Sequence, residues 1–296
     1  MFQKKMFQRI EDEELELALA RDAFVCVQVS DSFKETALEA LEAMADFEVT
    51  VVKNESYSRD EPVYDASAQR QTARSFTVIR GEANWPNLQF KEKVEAYLSK
   101  LEPLVAFFSD SLTRLLCARF HVDELSTAQS NTVLRCMRYA GNEPENTVGI
   151  SAHTDYELFT LIFETAPGLE IRAHRNKSYQ RITRSHPYVL MLVGDSLEFI
   201  SNGLFKAAQH RVPRLSCARS SLVFFQPLSD ATLLKPLPEK LKRKRRPRFR
   251  DHLPPLFDAR TYPPDTRTQL DYIIARDNAS KRRRADLSKN KKKPTS

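Results

Sequence analysis

Between Ser151 and Ser221 the chain runs through short apolar stretches separated by turns, and three side chains there restrict what it can fold into: His153, Asp155 and His210. His153 and Asp155 are two positions apart. On an extended strand successive side chains alternate faces, so residues two apart project the same way and can share one ion. A further imidazole has to come from elsewhere in the chain. His210, within the β-prone segment Phe205 to Val212, is the candidate.

A lone His-x-Asp is usually a hydrogen-bonded pair or a turn, and motif matches of this size carry a false-positive risk. The surroundings weigh against that bland reading. The pair is followed by Leu158-Phe159-Thr160-Leu161-Ile162-Phe163, a Pro167-Gly168-Leu169 turn, the apolar run Tyr188 to Val193 and Gly194-Asp195, read as a further turn. Ser201-Asn202-Gly203, His210 and Arg219-x-Ser221 come next. Two imidazoles and one carboxylate on one side of a metal leave coordination positions open, an arrangement suited to non-haem iron(II).

This series, in this order, resembles the isopenicillin-N-synthase-like branch of the iron(II)/2-oxoglutarate-dependent dioxygenases. The phrases that carry the likeness are "SAHTDYELFTLIFETAPGLEI", "VGDSLEFISNGLFKAAQHRV" and, upstream, "NWPNLQFKEKVEAYLSKLEPL". It covers about Asp22 to Ser229, with a weaker echo from Tyr262 to Arg276. The resemblance implies Fe(II) held by His153, Asp155 and His210, and 2-oxoglutarate as co-substrate with O2. It also implies that Arg219 and Ser221 take the distal carboxylate and that Tyr139 helps hold the co-substrate. The products would be succinate, CO2 and an oxidised small molecule, hydroxylated or desaturated. Relatives that use no 2-oxoglutarate keep the Arg-x-Ser pair for the substrate's own carboxylate, so an iron oxidase of that kind stays open, as does a non-catalytic interaction protein on the same scaffold. Many plant relatives read Asn-Tyr-Tyr-Pro-Pro where this chain has Met137-Arg138-Tyr139-Ala140-Gly141, so their substrates do not carry over.

The fold implied is mainly β with flanking helices, built on a distorted double-stranded β-helix, or jelly roll. Short β-runs bounded by turns agree with it. Residues 1–129 are expected to form the helix-rich N-terminal part, 130–238 the jelly-roll catalytic core and 239–296 a basic, largely disordered tail. Local patterns predict a helix over Glu11 to Arg21, a strand over Ala23 to Val29, an amphipathic helix over Phe33 to Phe47 and a strand over Thr132 to Ala140. Lys53 to Ala73 reads as a loop, in a region that often reaches the substrate in the relatives. One apolar stripe, Phe90, Val94, Tyr97, Leu101, Leu104 or Val105, Phe108, Leu112 and Leu115, marks a scaffold helix over Leu88 to Phe120. Pro103 inside it predicts a kink or a division into two helices.

Charge is segregated. Residues 231–296 hold 20 Lys and Arg against 7 Asp and Glu, which leaves 26 against 32 in residues 1–230. A basic steering surface for nucleic acid is therefore not a property of the catalytic region. The runs Lys240 to Arg250, Lys281 to Arg284 and Lys291 to Lys293 suit a solvated tail, a nuclear-import signal, or weak contact with nucleic acid or an acidic partner. Cys26, Cys117, Cys136 and Cys217 lack C-x-x-C spacing and read as reduced core residues. With no apolar leader and no run long enough to cross a bilayer, the expectation is a cytoplasmic protein without membrane partners, and nuclear entry would be driven by the basic clusters. The remaining histidines, His121, His174, His186 and His252, lack an acidic neighbour two positions on and are read as surface or structural.

Overall fold

The computed structural model describes residues 6–44, 63–64, 70–71, 73–79, 85–120, 133–172, 178–201 and 203–227. Four helices, α1 (Asp12–Asp22), α2 (Asp31–Ala43), α3 (Leu88–Phe120) and α4 (Asp195–Ile200), are described. The strands are β1 (Phe24–Gln28), β2 (Val63–Tyr64), β3 (Arg70–Gln71), β4 (Arg74–Ile79), β5 (Val133–Tyr139), β6 (Thr147–Val148) and β7 (Ile150–His153). They continue with β8 (Phe159–Glu164), β9 (Glu170–Arg172), β10 (Gln180–Arg181), β11 (Tyr188–Val193), β12 (Gln209–Val212) and β13 (Arg219–Gln226). The major sheet is antiparallel, in the order β1-β11-β8-β13-β5-β4. A minor sheet runs β10-β9-β12-β7, and a small third one joins β2, β3 and β6. This is the mainly β arrangement with flanking helices that the resemblance implies and with which the turn-bounded runs agree. Both edges of the major sheet, however, come from the N-terminal half of the chain, as β1 and β4.

Period-2 alternation assigns each major-sheet strand to two different cores. In β11, Val189, Met191 and Val193 join the cluster that includes α1, α2 and α3, while Tyr188, Leu190 and Leu192 face the cluster shared with the minor sheet. All six residues are buried, so the sequence reads as one continuous apolar run. β8 divides the same way. Phe159, Leu161 and Phe163 pack toward the helices, and Ile162 faces the minor sheet. Thr160 and Glu164 share that second face by strand alternation.

The helices are set by local signals. Ser30 caps α2 by accepting from the Phe33 amide at 3.2 Å, and the Asn87 side chain accepts from the Phe90 amide at 2.7 Å at the start of α3. α3 is one helix of 33 residues that passes through Pro103, so of the two outcomes expected there, a kink or a division, the division does not occur. Proline removes one helical donor. Its flanks, Leu101, Leu104 and Phe108, are each at most 1% exposed, and packing of one continuous face against the sheet holds the two halves together. Leu104 and Val105 are both buried, and Leu116 takes the fully buried position in place of Leu115. Lys100 on α3 reaches the Ser32 carbonyl and hydroxyl and the Thr36 hydroxyl at 2.6 to 2.8 Å, which fastens α2 to α3.

Several expectations change or fall outside the described residues. Two parts of the segment read as a loop are short strands, β2 and β3, because β3 finds a parallel partner in β6; most of the rest lies outside the described residues. Asp195 begins a helix instead of a turn, its amide donating to the Asp155 carbonyl at 2.8 Å. The cysteines are free, yet only Cys136 is a buried core residue; Cys26 and Cys117 are half-buried and Cys217 is exposed in the turn before β13. The tail 239–296, with its basic clusters, lies outside the described residues, as do His121, His174 and His252. Among the described residues no helix is long and apolar enough to cross a membrane.

Tyr97 on α3 is fully buried, and its hydroxyl has no hydrogen-bond partner among the described residues. A buried polar group left unsatisfied is destabilising. Tyr97→Phe is therefore expected to keep the fold and to raise unfolding free energy by about 1 kcal/mol in urea denaturation. A loss of similar size would show that the hydroxyl has a partner.

Candidate metal centre and carboxylate site

The minor sheet brings the two histidines together. β12 pairs antiparallel with β7, placing His210 directly opposite His153, and their ring centroids are 4.2 Å apart. The ladder shifts register between His210 and Val212, a local irregularity of the kind that re-aims a side chain. Asp155 lies just past the end of β7, so strand alternation alone does not orient it. Its backbone carbonyl accepts from the Asp195 amide, and its Oδ2 accepts a 2.6 Å hydrogen bond from the Thr160 hydroxyl on β8. The carboxylate then stands 3.6 Å from His153 Nε2 and 3.7 Å from His210 Nε2.

One ligand atom from each of the three residues lies within 4.8 Å of the others, compact enough for one ion to touch all three. Each imidazole is also oriented from behind. His153 Nδ1 meets the Ser151 carbonyl at 2.8 Å, and His210 Nδ1 meets the Ala208 carbonyl at 2.9 Å. A carbonyl accepts only, so Nδ1 carries a proton in each ring; Nε2 then presents a lone pair on the Asp155 side when the ring is neutral, as for metal binding, and an N–H when it is charged. Outer-shell partners of this kind fix the tautomer of metal-ligating histidines.

Electrostatics agree with a cation site. Burial by itself would raise the Asp155 pKa, but the imidazoles of His210 and His153 and the Thr160 hydroxyl outweigh it and hold the carboxyl below the ordinary range. Glu157 goes the other way, pushed up to about 7 by burial and then by the nearby Asp155 charge. Sequence reading passed over both Thr160 and Glu157. Thr160 carried one available signal: a polar residue inside the apolar run Leu158 to Phe163 needs a partner when buried. His186, by contrast, faces its own backbone, with Nδ1 3.2 Å from the Pro187 carbonyl.

Arg219, Ser221 and Tyr139 also converge. β13 pairs with β5 so that Arg219 stands opposite Tyr139, and the guanidinium carbon lies 4.9 Å from the Tyr139 ring centre. Arg219 Nη1 lies 3.4 Å from Ser221 Oγ, a long contact. All three residues are buried. The guanidinium is not without a counter-charge, however. Glu164 Oε2 accepts from Arg219 Nη2 at 2.6 Å and from Nε at 3.1 Å, while the other Glu164 oxygen accepts from the Tyr188 hydroxyl at 2.6 Å. Nε also reaches the Ala166 carbonyl at 3.2 Å. A guanidinium has five N–H groups. Glu164 occupies Nε and one hydrogen of Nη2, and the Tyr139 hydroxyl is also hydrogen-bonded to the guanidinium, so another acceptor would have to meet the outer edge formed by Nη1 and Nη2, beside Ser221 and Tyr139.

Comparison with known proteins bears on this part of the chain. Residues 129–227 match the model of the 2OG-Fe(II) oxygenase superfamily. Feruloyl CoA ortho-hydroxylase 2 of Arabidopsis thaliana is 27% identical over 188 residues, covering 60% of this chain and 51% of its own. Leucoanthocyanidin dioxygenase 2 of Oryza sativa subsp. japonica is 34% identical over 122 residues, covering 40% of this chain and 31% of its own. The chain thus matches about half the length, or less, of these curated relatives. In fold it is similar to the crystal structure of JOX2 in complex with 2OG, Fe and JA, with a TM-score of 0.66 and 18% identity over 88% of this chain and 80% of that one. It is likewise similar to the crystal structure of the dioxygenase for auxin oxidation in rice, with a TM-score of 0.60 and 19% identity over 74% of this chain and 80% of that one. The jelly-roll fold is shown by these likenesses.

Gly168 keeps the Arg219 side chain in place. A Cβ there would come within 2.6 Å of Arg219 Cδ and 2.9 Å of Nε, atoms fixed by the pinned head group. Gly168→Ala is therefore expected to lower unfolding free energy by about 1–3 kcal/mol, as overpacking does, with the change read in urea denaturation. No change would mean that the arginine has room to shift.

Proposed function

We propose, from the match of residues 129–227 to the 2OG-Fe(II) oxygenase superfamily, that this chain is a 2-oxoglutarate-dependent dioxygenase which oxidises a small organic molecule, with His153, Asp155 and His210 as its Fe(II) ligands. The observation that carries this reading is the convergence of the three ligand atoms within 4.8 Å, with both imidazoles tautomerically fixed by backbone carbonyls. The donor set fits the group: two neutral nitrogens and one oxygen anion leave positions open for co-substrate and O2. The outer edge of Arg219, with Ser221, fits a carboxylate.

When bound, Fe(II) would bring O2, the oxidant, together with 2-oxoglutarate, which would give up two electrons and leave as succinate and CO2. The residues of this chain contribute order. Thr160 holds Asp155 in one rotamer by donating to Oδ2, leaving Oδ1 as the oxygen for the ion. Tyr139, buried beside the guanidinium, walls the carboxylate site and keeps water from it. The apolar residues between the sheets, Met137, Ile162 and Leu190 among them, form the dry surroundings in which charge contacts are strong.

The buried Glu164 against Arg219 favours keeping a second reading, an iron oxidase of the isopenicillin-N-synthase type that draws its electrons from the substrate alone. The domain division 1–129, 130–238 and 239–296 belongs to the proposal, with the basic tail assigned to location or partner contact. Its support is the charge segregation, 20 basic against 7 acidic residues in 231–296.

Purified chain supplied with Fe(II), ascorbate and 2-oxoglutarate is expected to release succinate slowly even without substrate. Alanine at His153, Asp155 or His210 is expected to abolish that release and to weaken Fe(II) binding. Arg219→Ala should leave iron binding intact but raise the 2-oxoglutarate constant about ten- to a hundredfold, since it removes charge-assisted bonds and leaves the Glu164 charge facing the ligand. Oxygen consumption with a metabolite extract but no succinate would sink the first reading in favour of the second.

A further inference from the structure

We infer that Glu164 is a resident counter-carboxylate that weakens anion binding at Arg219 and so sets a low affinity for the dicarboxylic co-substrate. This rests on the proposed reading of Arg219 as the residue that holds the distal carboxylate. Glu164 ends β8 directly opposite Ser221 on β13, on the sheet face that also carries Arg219 and Tyr139. The Arg219 side chain is 2% exposed and that of Glu164 is 1%, so solvent does not screen the pair. Both Glu164 oxygens are satisfied, one by Arg219 and one by Tyr188, and nothing in this arrangement favours its swinging away.

A ligand carboxylate must therefore arrive end-on at the remaining Nη1 and Nη2 hydrogens while Glu164 stays side-on. Two carboxylates would then share one guanidinium in a buried site, and like charges that share a site disfavour each other's ionised form. Desolvating the incoming carboxylate adds to the penalty, because the cation that should compensate it is already neutralised. Glu164 at the same time orients the guanidinium, so its effect on charge and its effect on position have opposite signs. Glutamine separates them. Glu164→Gln keeps the shape and an oxygen for the Arg219 N–H groups and removes the charge, while the Tyr188 hydroxyl, which now donates to the other oxygen, turns to accept from the amide NH2.

The experiment is calorimetric titration of the full chain loaded with Mn(II) in place of iron, which reads binding without turnover. The two ligands are 2-oxoglutarate and 2-oxopentanoate, which has the same oxoacid head and chain length but no distal carboxylate. Glu164→Gln is expected to bind 2-oxoglutarate about tenfold more tightly than the parent and to leave 2-oxopentanoate within about twofold, the scatter expected at a site the charge does not touch. The thermal midpoint of the variant should be lower without ligand, because Arg219 has lost its ion, and should rise further than the parent's when 2-oxoglutarate is added. Should the variant not fold, the parent decides the matter. It is expected to prefer 2-oxoglutarate over 2-oxopentanoate by less than about tenfold, below what an unopposed arginine–carboxylate contact provides. Equal or weaker 2-oxoglutarate binding by the variant, or a preference above about a hundredfold in the parent, overturns the inference and leaves Glu164 as a positioning residue only. If neither protein binds 2-oxoglutarate while 2-oxopentanoate and Mn(II) still bind, the carboxylate assignment of Arg219 fails first and the inference falls with it.

Discussion

A buried carboxylate has to be compensated where it stands, and the way Asp155 is compensated ties this molecule together. Its side chain is 7% exposed, so water does little for its charge, and the partners come from three directions. His153 is on β7, His210 on β12 and Thr160 on β8. The first two belong to the minor sheet and the third to the major sheet. The contact between Asp155 and Thr160 is therefore also a bond between the sheets, and the Asp195 amide that holds the Asp155 backbone joins in the start of α4. Gly194, immediately before, is needed for this approach, since a Cβ there would meet the Glu157 carbonyl at 1.9 Å.

β8 is central to the chemistry as well as to the sheet. Thr160 and Glu164 lie on the same face of one strand, four residues apart, or about 13 Å at ordinary strand rise. One holds the proposed metal ligand Asp155 and the other holds the arginine of the carboxylate site. A single strand thus sets the spacing between the two halves of the proposed co-substrate site. The residues between them, Leu161 and Phe163 on one side and Ile162 on the other, are apolar and buried. The strand can be rigid because both its faces are packed.

Much of this was legible in the residue pattern. The turn-bounded apolar runs, the stripe along α3 and the strand over Thr132 to Ala140 depend on local periodicity, and local periodicity survives in the one-dimensional string. The Pro-Gly-Leu turn was legible too, although its use was not: Gly168 is small because Arg219 lies against it. Expectations that needed a long-range partner fared worse. Pro103 reads as a kink or a division, and packing of the buried face keeps α3 from dividing. Cys217 reads as core from its apolar neighbours, yet it lies exposed in a turn.

By itself the sequence singled out the proposed metal ligands, His153 and Asp155 two apart and His210 in a second β-prone run, and an arginine and a serine two apart before an apolar strand. Those are statements about residue type and short spacing, and strand geometry converts the spacing into a shared face where both residues lie in one strand, as Arg219 and Ser221 do in β13. Only the tertiary structure decided that His210 faces His153 across a ladder, that Asp155 takes its aim from Thr160, and that Arg219 already has a carboxylate beside it in Glu164. Each of these depends on register between strands far apart in the chain. A one-residue slip would turn every side chain to the other face, and no local pattern specifies which register the packed cores select.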